Sequence, residues 1–130
     1  MGDKKRVLLV DDEPDLISIL KKRFQKEGFD TDVAYDGNEA MAKIESNPPD
    51  AIVLDVMMPD KDGYQVCSEL KKNAKYEDIP VLMLTAVADH VSSTRYSHQA
   101  GKELEADDYI PKGPDSTDEI VEAVKRLVSS

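Results

Sequence analysis

A chain of 130 residues, 40% of them hydrophobic, can bury one core but has no length for a second functional unit. Its net charge of −10 argues against binding nucleic acid or an anionic membrane surface, because phosphate neutralisation needs a patch of lysine and arginine. A lone cysteine, Cys67, excludes an internal disulfide, and no apolar run approaches the roughly 20 residues of a membrane span, so the chain is expected to be soluble and cytoplasmic.

Arg6 to Val10 predicts the first strand, which runs directly into Asp11, Asp12 and Glu13. Pro14 suits the first turn of a helix, with Asp12 or Glu13 near the cap. Leu16, Ile17, Leu20 and Phe24 recur at helical spacing on one face, while Lys21, Lys22, Arg23 and Lys26 fill the rest. Gly28 stops this helix. Residues 29–34 read as a short strand at a sheet edge, and Asp36-Gly37 turns the chain into a helix over residues 38–46. Asn47-Pro48-Pro49-Asp50 breaks that helix.

Residues 51–60, AIVLDVMMPD, form the stretch on which the reading turns. A short apolar run closed by Pro59 predicts a strand buried on both faces inside a parallel sheet. Such a strand delivers its last residue, Asp55, to the carboxyl edge, where open α/β proteins keep their sites. Asp55 is expected there as a presented residue, not a buried one. A turn at residues 60–63 then leads to a helix over residues 63–73 with Val66, Cys67 and Leu70 inward. Residues 81–85 are another apolar strand, ending in Thr85.

Residues 86–107 combine poor helix formers with a thin apolar stripe, and a helix is expected within them. His90 and His98 fall in this span and read as solvated. Residues 108–110 make a short last strand, and residues 117–128 a final helix with Ile120, Val121, Val124, Leu127 and Val128 inward. Strand and helix thus alternate five times, which calls for one α/β domain: a parallel sheet between helix layers, joined by right-handed crossovers.

In that architecture the carboxyl ends of the strands bring together Asp11, Asp12, Asp55, Thr85 and, just past the last strand, Lys112. Three packed carboxylates repel one another and raise each other's pKa. A hard divalent cation such as Mg²⁺, taking oxygen ligands, relieves this, and with Lys112 it balances the three charges. The metal, an ammonium and a threonine hydroxyl can hold phosphoryl oxygens, and a carboxylate can itself be the nucleophile that forms an acyl phosphate. Asp55, alone at its strand end, is the best placed to do so.

Four separated pieces, VLLVDDEP, IVLDVMMPDKDGYQV, PVLMLTA and DDYIPK, resemble in order and spacing the receiver domain of two-component response regulators. The resemblance spans essentially all of residues 1–130 as one domain. It implies a doubly wound, flavodoxin-like three-layer sandwich of five parallel strands in the order 2-1-3-4-5. It also implies that Asp55 is the phosphoacceptor and that Asp11, Asp12, Asp55 and the backbone carbonyl of Met57 bind Mg²⁺. Thr85 and Lys112 would contact the phosphoryl group, and Tyr109 would be an aromatic switch. The phosphodonor would be a histidine kinase or histidine phosphotransferase, for which the first helix resembles a docking surface. A downstream protein would read the face made by the fourth predicted helix and the fifth strand. No output domain is expected after the last helix.

Two features depart from the usual pattern: Gly113 stands between Lys112 and Pro114, and the span from Thr85 to Tyr109 is several residues longer. The expected role is a signalling module, not an enzyme beyond its own phosphorylation and dephosphorylation. A degenerate receiver that binds without phosphorylation is the alternative. A haloacid-dehalogenase-like phosphatase would need a second aspartate where Met57 stands, and a flavodoxin-like carrier would need a hydroxyl- and glycine-rich loop where Asp11-Asp12-Glu13 stands.

Overall fold

The computed structural model describes residues 4–58, 61–85, 106–113 and 116–129. In chain order these form β1 (Arg6–Val10), α1 (Pro14–Lys26), β2 (Asp30–Ala34), α2 (Gly37–Ser46), β3 (Ala51–Asp55), α3 (Gly63–Lys71), β4 (Val81–Thr85), β5 (Asp108–Pro111) and α4 (Thr117–Ser129). The five strands pair parallel in the order β2-β1-β3-β4-β5. This is the doubly wound, flavodoxin-like order expected from the sequence, with β2 at an edge. The helix expected within residues 86–107, His90 and His98, the turn at Asp60 and the break at Pro59 lie outside the described residues.

Alternation along each buried strand feeds two cores. Val7, Leu9, Val53, Leu82 and Leu84 meet Ile17, Leu20 and Phe24 of α1 and Ile120, Val121 and Val124 of α4 on one face. Leu8, Val10, Ile52, Leu54 and Met83 meet Ala40 and Ile44 of α2 and Val66, Cys67 and Leu70 of α3 on the other. A strand whose odd and even residues are both buried is the signature of a sheet covered on two sides. On α4 the inner face differs slightly from expectation: Ala123 is fully buried, whereas Leu127 and Val128 are only partly so.

Local chemistry sets the helix ends. Gly28, with φ of +91°, ends α1, and the Phe29 amide reaches back to the Phe24 carbonyl at 3.0 Å. The Phe29 ring then meets Phe24 edge-on, with centroids 5.3 Å apart. The Asp36 carboxylate caps α2 by accepting from the Glu39 amide. At α3, Asp62 and Gln65 cap reciprocally, each side chain accepting from the other's backbone amide at 2.9 Å.

Cys67 sits wholly inside the second core, and burial pushes its thiol up to about 11. The reactive thiolate is therefore scarce. Iodoacetamide at about pH 8 should leave Cys67 unmodified in the folded protein and alkylate it readily in urea. Native-state alkylation as fast as that of an unfolded control would contradict this packing.

Candidate functional site

The ends of the three central strands and the residue after β5 converge at one place. In the sheet register Val10 stands beside Leu54, Asp55 beside Leu84, and Thr85 beside Pro111. Asp11 therefore follows β1 directly, Asp55 closes β3, Thr85 closes β4, and Lys112 follows β5. Carboxylate oxygens of Asp11, Asp12 and Asp55 lie within 4.8 Å of one another. Asp11 and Asp55 are buried and Asp12 is exposed.

Asp55 is 2% exposed, so the expectation that it would be presented to solvent is corrected. A residue at the end of a central strand is walled by its neighbours on both sides. Here Asp11 flanks it from β1, and the Lys112 ammonium lies 3.2 Å from its Oδ1. The Met57 amide donates to the same oxygen at 3.4 Å. The other oxygen, Oδ2, is buried without a hydrogen-bond partner among the described residues, as is the Thr85 hydroxyl.

Such crowding has an electrostatic signature. Burial, and then the charge of Asp11, push the Asp55 carboxyl up to about 7, against the opposing pull of Lys112 and the Met57 amide. Burial likewise raises Asp11, although Lys112 and the Glu13 amide favour its anion. Burial alone would lower the Lys112 ammonium, but its hydrogen bonds to Glu13 and Asp11 and the charge of Asp55 hold it above the ordinary lysine range. Among the described residues Asp55 Oδ2 and Thr85 Oγ1 are thus buried without a hydrogen-bond partner, and Asp11 Oδ2 has only its ion pair with Lys112. All-oxygen donors of this kind suit a hard divalent cation, so the acidic cluster can hold a metal ion.

Asp11, Asp12, Asp55, Thr85 and Lys112 all lie at this edge. Met57 belongs to the turn leaving β3, its side chain exposed and its amide anchored on Asp55. Tyr109, on β5, is half-buried against the second core, and its hydroxyl accepts from the Ala106 amide at 3.3 Å. Beyond Lys112, the Gly113 amide donates to the Ser116 hydroxyl, which donates back to the Gly113 carbonyl. These bonds tie the loop to the start of α4, and there is no cis peptide among the described residues.

Two further residues shape the site and were read from the sequence only as a cap and a turn. Glu13 accepts from the Lys112 ammonium at 2.8 Å. Gly63 lets α3 start against β3: a Cβ there would fall 2.3 Å from the Asp55 carbonyl oxygen. A third acid beside the aspartate pair, and a glycine eight residues past Asp55, were the available signals.

A family model described as the response regulator receiver domain matches residues 7–125. This chain belongs to that family. Among solved structures, a receiver domain of a signal transduction histidine kinase from Syntrophus aciditrophicus is 34% identical, with a TM-score of 0.82 over 96% of this chain and 90% of its own. A protein described as a response regulator from Chloroflexus aurantiacus is 32% identical, with a TM-score of 0.86 over 98% of this chain and all of its own. A chemotaxis response regulator of Vibrio cholerae is 27% identical, with a TM-score of 0.82 over 96% of this chain and 99% of its own. The receiver domain is a signalling module of two-component systems, which works with histidine kinases and downstream effectors. Among the described residues no helix is long and apolar enough to cross a membrane.

Proposed function

We propose that this receiver domain accepts a phosphoryl group on Asp55 from a phosphohistidine of a partner kinase or phosphotransferase. The observation that carries the reading is the juxtaposition at one sheet edge of the Asp55 carboxylate, two further aspartates, the Lys112 ammonium and the Thr85 hydroxyl, which has no hydrogen-bond partner among the described residues. An Asp55 oxygen attacks phosphorus, the donor's P–N bond breaks, and the imidazole departs with the electron pair, leaving an aspartyl acyl phosphate. Lys112 steadies the charge on the transferring oxygens, and Thr85 turns its hydroxyl toward them. Asp11, Asp12, Asp55 and the Met57 carbonyl would hold Mg²⁺, which when bound offsets the negative charge of carboxylates and phosphoryl group alike.

Transfer gives Thr85 and Lys112 new partners, and both belong to β4 and β5 or the residue that follows them. The change therefore passes toward the β5 edge, where Tyr109 lies, and a downstream protein reads it by contact. Acetyl phosphate with Mg²⁺ should add one phosphoryl group to the protein, seen by mass spectrometry, and none when the metal is chelated. Asp12→Ala should raise the Mg²⁺ concentration needed for half-stabilisation in thermal melts by at least about tenfold. Equal stabilisation of wild type and variant would remove Asp12 from the ligand set.

A further inference from the structure

The Lys112 ammonium rests on three carboxylates: Glu13 Oε1 at 2.8 Å, Asp11 Oδ2 at 3.0 Å and Asp55 Oδ1 at 3.2 Å. Asp11 and Asp55 belong to the cluster that can hold a cation, and Glu13 does not. Lysine and metal therefore draw on the same two carboxylates, and their like charges repel at short range. Among the described residues, Glu13 is the carboxylate partner that the ammonium can keep to itself when a metal draws on the other two.

Its placement fits that task. The Asp11 Oδ1 atom accepts from the Glu13 amide at 2.9 Å, fixing the backbone beside the cluster, and Pro14 sends the chain into α1. Glu13 is the N-cap residue of α1, yet its side chain makes no capping hydrogen bond. An N-cap position usually carries a side chain that serves the helix. This one serves Lys112 instead. The carboxylate is also largely exposed, so it can follow the ammonium as the ammonium moves.

We infer that Glu13 is a positioning residue: it retains Lys112 at the site mouth while Asp11 and Asp55 turn to Mg²⁺, so that the metal enters without leaving the ammonium unpaired. Without Glu13, Lys112 is left, among the described residues, with the two carboxylates it would share with the metal, so the cation enters beside a more weakly compensated ammonium. The inference rests on the reading of the cluster as a Mg²⁺ site.

Titration calorimetry of the unphosphorylated protein with MgCl₂ tests it. Glu13→Gln should weaken Mg²⁺ binding about tenfold, the lower end of what residues orienting metal ligands contribute. Lys112→Ala alone should tighten it. In the Lys112→Ala background, Glu13→Gln should change the affinity by less than about twofold, as expected of a screened surface charge. Lys112→Met, which keeps the apolar stem, provides a second background. An equal loss in both backgrounds would mean that Glu13 acts as a general negative charge and would overturn the inference. So would unchanged affinity in Glu13→Gln with normal binding by the wild type. If the wild type binds no Mg²⁺, the reading of the metal site falls as well.

Discussion

Asp55→Asn should abolish labelling by acetyl phosphate and by a phosphohistidine donor, with no residual transfer to Asp11 or Asp12. An amide keeps the shape of the side chain but has no nucleophilic anion to attack phosphorus. Asp11 is an implausible substitute, because its oxygens are already held by the Glu13 amide and the Lys112 ammonium. Asp12 is exposed and lies outside the sheet's last pairings. The fold should survive, and without metal it should be stabilised by about 1 kcal/mol, the scale on which a buried polar group with an unmade bond costs stability. The sign follows from the site. In the wild type, burial and the neighbouring Asp11 disfavour the Asp55 anion, and one of its oxygens has no hydrogen-bond partner among the described residues. A neutral amide relieves the repulsion and brings an N–H that Asp11 can accept. Mass spectrometry after acetyl phosphate treatment and calorimetric melts in chelator check the two halves. Full labelling of the variant would place the phosphoacceptor elsewhere, and a strongly lowered melt would mean that the Asp55–Lys112 pair outweighs the repulsion.

The framework was legible in the sequence because its strands are short apolar runs closed by acids, prolines or threonine. β1 ends one residue before Asp11, β3 ends at Asp55 and β4 at Thr85. Helix ends were nearly as clear where Gly28 or Asp36 marks them. What could not be read is anything decided by a neighbour from another part of the chain. The burial of Asp55 depends on Lys112, 57 positions away in sequence, and on the turn at Met57. The Glu13 contact with Lys112 spans 99 positions. On α4, Ala123 is buried while the larger Leu127 and Val128 are only partly so, an order that hydrophobicity alone does not give. The role of Gly63 was hidden for the same reason: a turn glycine and a glycine pressed against a strand look alike in one dimension.

Gly63→Ala should be the most damaging single-methyl change at a described position, costing about 3 kcal/mol of stability, at the upper end for overpacking. The Gly63 amide opens α3 and donates to the Val56 carbonyl at 2.9 Å, so helix and strand end are already in contact. An added Cβ would lie 2.3 Å from the Asp55 carbonyl oxygen, 2.9 Å from the Val56 Cα and 3.0 Å from the Asp55 carbonyl carbon. All three are backbone atoms, and no rotamer change can move them aside. Either α3 retreats, opening gaps around Val66 and Cys67 in the second core, or the end of β3 shifts. The second response would move the Asp55 carboxylate against Asp11, Lys112 and Thr85, and misplacement by about 1 Å at a reacting group can cost about a hundredfold in rate. Two other glycines calibrate the result. Gly28 meets nothing within 4 Å but holds φ at +91°, so Gly28→Ala should cost about 1–2 kcal/mol through backbone strain alone and leave labelling unchanged. Gly113 meets nothing within 4 Å and has no such angle, so Gly113→Ala should be neutral or stabilise by up to about 1 kcal/mol. Urea midpoints and acetyl phosphate labelling rates of the three variants check the order. A Gly63→Ala protein that unfolds and labels like the wild type would show that α3 can slide along β3 at little cost, and that the close approach does not hold Asp55 in place.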